Sequence, residues 1–233
     1  MVQWRGGTLW IPTIQFPSSP STILTVDEED AKPVPLQTFA IFTKISPRRL
    51  GNRMRQHGPW TIRGTQEVYR DPWIYLQVDQ VIRPDGNAGT YCTVQLKPGV
   101  CVVAMDDKRA VYLTKEFHYA VGRITIEGVS GGIEEGESAL ITAERELKEE
   151  LGITAKRFTS LGIVDPFTAA ILSPTELFLA EDLSFGEGRP EGTEVIDMVK
   201  VPLETALQWV DDGTITHAPS CVALLKLARL HRS

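Results

Sequence analysis

Glu146, Glu149 and Glu150 crowd into one short stretch whose apolar spacing predicts a helix. Residues four apart share a helix face, so Glu146 and Glu150 stand together, and Glu149 lies beside Glu146. Like charges at such positions repel by about a few tenths of a kcal/mol each. A cation offsets that repulsion, and a divalent metal is the natural one. Hard ions such as Mg²⁺ take oxygen ligands and keep water and substrate phosphates in their remaining positions. The competing explanation is an ordinary solvated helix face, since glutamate is common there.

These carboxylates need a rigid support. From about Ser138 to Leu151, the residues Ala139, Ala143, Leu147 and Leu151 recur every fourth position and form one apolar stripe. Gly152 stands where a left-handed C-terminal cap is expected. Ahead of the helix, Gly131, Gly132 and Gly136 predict a tight loop that can approach the acidic face closely and offer backbone oxygens. Around this unit the pattern is β-rich. Strands are predicted over 73–78 with an extension to Ile82, then over 90–96, 100–105, 110–114, 123–126, 158–164, 175–180 and 195–201. Pro84-Asp85-Gly86 is a hairpin signal. Helices are predicted over 202–210, ended by Asp211-Asp212-Gly213, and over 218–230. Strands with helices set between them argue for an α/β fold, a mixed β-sheet sandwiched between α-helices.

Residues 1–60 differ. Pro12, Pro17, Pro20, Pro33, Pro35 and Pro47 punctuate them, which predicts an irregular extension with short strands such as Thr38 to Thr43. The basic run from Arg48 to Arg55 reads as a solvated face or a partner contact. A β-hairpin region over 61–98 and a further domain over 99–233 complete the expected organisation.

The chain has 233 residues, 42% of them hydrophobic, enough for one sizeable core. Its net charge of −6, with no long basic tract, argues against a nucleic-acid polymer as partner. No apolar run approaches the roughly 20 residues needed to span a membrane, and the N-terminus lacks the pattern of a signal peptide. Cys92, Cys101 and Cys221 are odd in number and widely spaced, as expected of reduced cytoplasmic thiols.

The stretch Gly131 to Ile153 reads GGIEEGESALITAERELKEELGI. Its pattern, G-x5-E-x7-R-E-aliphatic-x-E-E-x-G-aliphatic, resembles the Nudix box with every defining position filled. The likeness extends over about residues 61–230 to the ADP-ribose pyrophosphatase branch of that superfamily. It is carried by EVYRDPWIYLQVDQVIRPDG (67–86), KEFHYAVGR (115–123), TIEGVSGGIEEGE (125–137) and VPLETALQWVDDGTITHAPSCVALLKLA (201–228). The resemblance implies a Nudix fold and a Mg²⁺-dependent pyrophosphatase, with Mn²⁺ as an alternative ion. The substrate would be a nucleoside diphosphate derivative, ADP-ribose or a similar nucleotide sugar first. It implies that Glu146 and Glu150 ligate metal, that Glu149 ligates metal or holds the attacking water, and that Ser130 ligates through its main-chain carbonyl. Glu127 would contact substrate or metal. Arg145 and Glu137 would form an architectural ion pair. A glutamate on a later loop would orient or deprotonate water; Glu194 and Glu191 are the candidates, Glu187 a weaker one. A homodimer with exchanged N-terminal hairpins is also implied.

Departures from the branch bear on the substrate. His118 stands where an arginine usually grips phosphate, and an imidazole cannot offer a bidentate fork. A second arginine expected near Tyr91 or Cys92 is missing, and Gly128-Val129 replaces the commoner Leu-Pro. Trp73, Tyr119 and Trp60 are candidates to stack a nucleobase, or else pack in the core. Rival readings are a hydrolase of another nucleoside diphosphate derivative (NADH, a flavin or a dinucleotide) and a non-catalytic nucleotide-sensing module.

Overall fold

Val100 to Met105 alternates its side chains between two cores, and this one strand explains most of the architecture. Val100, Val102 and Ala104 belong to one cluster of buried residues. Cys101, Val103 and Met105 belong to the other. A strand buried on both faces must lie inside a sheet covered by helices on each side. The computed structural model describes residues 49–50, 54–188 and 195–230. The irregular extension, the Thr38–Thr43 strand, part of the basic run, Glu191 and Glu194 lie outside the described residues.

Among those residues the order is β1 (Arg49–Leu50), β2 (Arg55–His57), β3 (Trp60–Arg70), β4 (Ile74–Ile82), β5 (Ala88–Leu96), β6 (Gly99–Met105), β7 (Ala110–His118), β8 (Arg123–Glu127), β9 (Val129–Gly132) and α1 (Ala139–Leu151). Then follow β10 (Ile153–Val164), β11 (Ile171–Leu172), β12 (Thr175–Phe185), β13 (Asp197–Pro202), α2 (Leu203–Asp211) and α3 (Ala218–Leu230). The central sheet runs β10-β12-β6-β7-β13, with β8 on β7 and β9 on β6. It is mixed, since β12 runs parallel to β6 while the other pairings are antiparallel. Ala143, Leu147 and Leu151 of α1 cover one face, and residues of α2 and α3 cover the other. This is the expected α/β sandwich. Leu147 is fully buried, which contributes about 1.5–3 kcal/mol of hydrophobic stabilisation.

The second sheet runs β1-β3-β4-β5-β11, with β2 on β3. The hairpin expected over 61–98 is therefore part of a larger sheet. β4 and β5 pair antiparallel around the predicted turn, and β3 adds to β4. Residues 171–172, far along the chain, close the edge of β5 in parallel. A two-residue strand has no period for sequence reading to detect.

β6 shares one edge between two partners. Its first half pairs with β9, Val100 opposite Gly131 and Cys101 opposite Ser130. Its last residues pair with β7, Ala104 opposite Tyr112. The chain crosses from β8, which lies on β7, to β9, which lies on β6, at Gly128. A Cβ there would stand 2.9 Å from Cys101 Sγ and 3.0 Å from the Val102 carbonyl oxygen. Only glycine passes that close.

Candidate active site

α1 begins and ends where its sequence says it should. Ser138 is the N-cap, its side chain accepting from the Ile141 N–H. Gly152 is left-handed at φ 64°, and its N–H bonds back to the carbonyls of Leu147 and Lys148. The cap turns straight into β10, so that strand starts at Ile153, earlier than the alternation over 158–164 suggests.

With the apolar stripe inward, Glu146, Glu149 and Glu150 lie half-buried at the boundary between α1 and β9. Glu146 rests on the backbone of Gly131: a Cβ at Gly131 would fall 1.9 Å from its Oε1. The Glu146 carboxylate is thus pressed against the residue next to Ser130. Ser130 donates its hydroxyl to the Gly128 carbonyl.

Arg145 ties loop to helix, as expected. Its Nε donates to Glu137 Oε1 at 3.0 Å and its Nη2 to Glu137 Oε2 at 3.1 Å. Its Nη1 reaches Glu146 Oε1 at 2.8 Å and Glu149 Oε2 at 3.0 Å. Arg145, and after it the Thr142 hydroxyl, hold the Glu137 carboxyl far below the usual carboxylate range, at about 2. The same contacts push the Arg145 guanidinium further up. Among the described residues no three His, Cys, Asp or Glu side chains form a ready cation cage. The donor set nonetheless suits a hard divalent ion. Two of its carboxylates already face a positive group, all its side-chain donors are oxygens, and such ions complete their shells with water and phosphate rather than an all-protein cage.

The loop after β12 starts at the C-terminal end of α1. The Gly186 N–H donates to the Gly152 carbonyl at 2.8 Å. At Gly188, a Cβ would meet the Glu150 carbonyl oxygen at 3.1 Å and that of Glu149 at 3.2 Å. Glu187 is exposed on this segment. Glu191 and Glu194 follow it outside the described residues.

Glu127, half-buried at the end of β8, is the centre of a network that sequence reading missed. Thr125 Oγ donates to Glu127 Oε1 at 2.7 Å and stands 2.8 Å from His118 Nδ1. His217 Nδ1 lies 3.2 Å from Glu127 Oε2 and 2.8 Å from Ser220 Oγ. Ser220 is fully buried and accepts from the Gly128 N–H at 2.8 Å. Burial, and then the nearby His118, lower the pKa of His217, while Glu127 opposes them. Cys101 lies in contact with the same region. Burial pushes its thiol up to about 11; Ser220 and Ser130 lower it, and Glu127 and Glu150 add to the rise. His217 and Ser220 belong to no motif, and they reach the Glu127–Gly128 segment because α3 packs on β6.

The expected substrate aromatics are placed differently. Trp73 and Tyr119 are 66% and 95% exposed, in the β3–β4 and β7–β8 turns. Among the described residues neither forms a ring contact or side-chain hydrogen bond with the box. Trp60 meets Tyr91 edge-to-face at 5.3 Å, in a cavity of about 670 Å³ along the second sheet.

The sequence model of the NUDIX domain matches residues 95–218. The chain belongs to the Nudix hydrolases. In this Nudix hydrolase, residues 60–94 also match the nucleoside diphosphate sugar hydrolase N-terminal domain. It is 32% identical to an ADP-ribose pyrophosphatase of Bacillus subtilis over 167 residues, which cover 68% of this chain and 87% of that one. It is 25% identical to a methanol dehydrogenase activator of Bacillus methanolicus, over 69% of this chain and 88% of that one. The solved structure of an ADP compounds hydrolase overlays with a TM-score of 0.63, at 20% identity, covering 79% of this chain and 93% of that one. The first of these relatives sets this Nudix hydrolase in the ADP-ribose pyrophosphatase-like branch, and the overlay shows the fold. It is an enzyme of pyrophosphate-bond hydrolysis.

Proposed function

We propose that the chain hydrolyses the diphosphate link of a nucleoside diphosphate derivative in a Mg²⁺-dependent reaction, with Mn²⁺ as a substitute ion. ADP-ribose or a similar nucleotide sugar is the first choice, giving a nucleoside monophosphate and a phosphorylated moiety. The observation that carries this reading is the acidic face of α1, with Glu146 seated on Gly131 and paired with Glu149 around a cationic group. Glu146, Glu149, Glu150 and the Ser130 carbonyl would hold the ion. Once bound, it neutralises phosphate oxygens and lowers the pKa of water.

The chain's own residues supply the rest. Glu149, or a glutamate of the 187–194 loop, accepts the proton of the attacking water. The contact of residues 186–188 with the end of α1 supports a loop base from that segment. Arg145 anchors the box loop through Glu137. His118, Glu127, Trp73 and Tyr119 remain the proposed substrate contacts. The exposed pair, Trp73 and Tyr119, would serve in a homodimer, where a second copy of the chain covers them. Three free cysteines fit a cytoplasmic setting.

A different nucleoside diphosphate derivative is the second reading. The relatives themselves bear different names, including a hydrolase of a CMP-linked phosphonate from Streptomyces rubellomurinus. The test is a panel of ADP-ribose, nucleotide sugars, NADH, flavin and dinucleotide compounds with Mg²⁺ or Mn²⁺, with products identified by mass spectrometry. Glu150→Gln is expected to lower turnover on the active compound by orders of magnitude with the fold intact. Unchanged turnover in that variant overturns the assignment.

A further inference from the structure

We propose that the start of α3 and the residue before it form a clamp for the metal-binding strand, with His217 and Ser220 as its positioning residues. The proposal rests on the functional reading above, in which Ser130 offers its carbonyl to the ion. Ser130 sits two residues beyond Gly128, at the point where the chain crosses from β7 to β6. Cross-strand bonds fix β9 beyond the crossing and β8 before it. At the crossing itself Ser220 Oγ, among the described residues, receives the Gly128 N–H in a fully buried position. A buried backbone donor must be satisfied, so Ser220 sets the height of this segment above Cys101 and Val102.

His217 holds both sides of the crossing. With its proton placed on Nδ1, the His217 ring turns a positive edge to Glu127 Oε2, which only accepts, at 3.2 Å. That N–H donates to Ser220 Oγ at 2.8 Å. The Ser220 hydroxyl proton is then left for Cys101 Sγ at 3.6 Å. On the far side, one proton chain joins Thr125 to Glu127 and His118 to Thr125. Every polar atom that this account places around Glu127 and Gly128 then has a partner with the right donor or acceptor sense. Partners behind metal ligands fix their orientation, and losing one lowers metal affinity roughly 10–100-fold.

The clamp is tested on the metal-free chain by titrating Mn²⁺ and following the free ion by electron paramagnetic resonance, with no substrate present. His217→Leu keeps the bulk and removes the Nδ1 donor. His217→Asn restores a donor near the Nδ1 position. The Leu variant is expected to raise the Mn²⁺ dissociation constant at least about tenfold, with little change in the metal-free Tm. The Asn variant is expected to bind close to the unsubstituted chain. Ser220→Ala is expected to weaken Mn²⁺ binding as well, and supplies the measurement if the Leu variant does not fold. Leu and unsubstituted chains of equal affinity overturn the clamp alone; so does an Asn variant as weak as Leu. An unsubstituted chain that binds no Mn²⁺ overturns the metal reading and the clamp with it.

Discussion

Arg145 joins several parts of the site, and its contacts divide into two kinds. The bidentate pair with Glu137 fixes the glycine-rich entry to α1. The Nη1 contacts to Glu146 and Glu149 occupy the side where the proposed ion binds. Entry of the ion would displace only the second kind. The sign of the pH effect of Glu137 follows from its lowered pKa. An unfolded glutamate titrates near about 4.3, while the folded one titrates at about 2. The folded state binds fewer protons between those values, so this contribution is complete above the unfolded value and is lost as the pH falls toward the folded one. Glu137→Gln should therefore lower Tm at neutral pH, and the gap to the unsubstituted chain should close as the pH falls from about 4.3 to about 2. Calorimetric Tm values across that range check it; a gap that does not narrow contradicts the pairing.

At the scale of elements, the site is a matter of how closely α1 lies on β9. Gly131 permits the contact, and the atoms that an added Cβ would meet are the flexible end of Glu146, its Oε1, Cδ and Cγ. The fold can absorb this by swinging the side chain away, at the expense of the carboxylate's position. Gly131→Ala should thus keep Tm near its original value and lose most Mn²⁺ affinity and turnover. A variant of full activity would show that Glu146 need not sit on β9. Gly152 faces a different constraint. An added Cβ there would meet backbone atoms of Gly186, Glu187 and Gly188 at 2.5–2.7 Å, and its φ of 64° already favours glycine. The same close packing that caps the helix brings residues 186–188 to the C-terminal end of α1.

The molecule as a whole leaves apolar side chains uncovered near the edges of both sheets. Phe117, Tyr119, Val121 and Ile124 are exposed along the β7–β8 hairpin, and Trp73, Ile74 and Leu172 on the second sheet. Clusters of exposed apolar groups mark association surfaces. Light scattering on the purified chain should give twice 25.9 kDa, and a Trp73→Asp or Phe117→Asp change should shift the mass toward the monomer. A monomeric mass for the unsubstituted chain would remove the dimer from the proposal, and with it any role for Trp73 and Tyr119 at the site.

The sequence by itself determined the helix with its stripe, its Gly152 cap and its three clustered carboxylates, while the Arg145–Glu137 pair came from the resemblance. All of these are set by neighbours within about two turns or by the adjoining loop, where 3.6-residue periodicity and capping chemistry act. The α/β sandwich was legible too, because the predicted strands have helices set between them along the chain. Only the tertiary structure decided that Glu146 sits on Gly131, that residues 171–172 join the second sheet, and that His217 and Ser220 stand under the Glu127–Gly128 crossing. Those contacts bridge 15 to 92 positions of chain. Short-range periodicity says nothing about such pairs; they form because the edge of β6 holds two strands at once and α3 packs on β6.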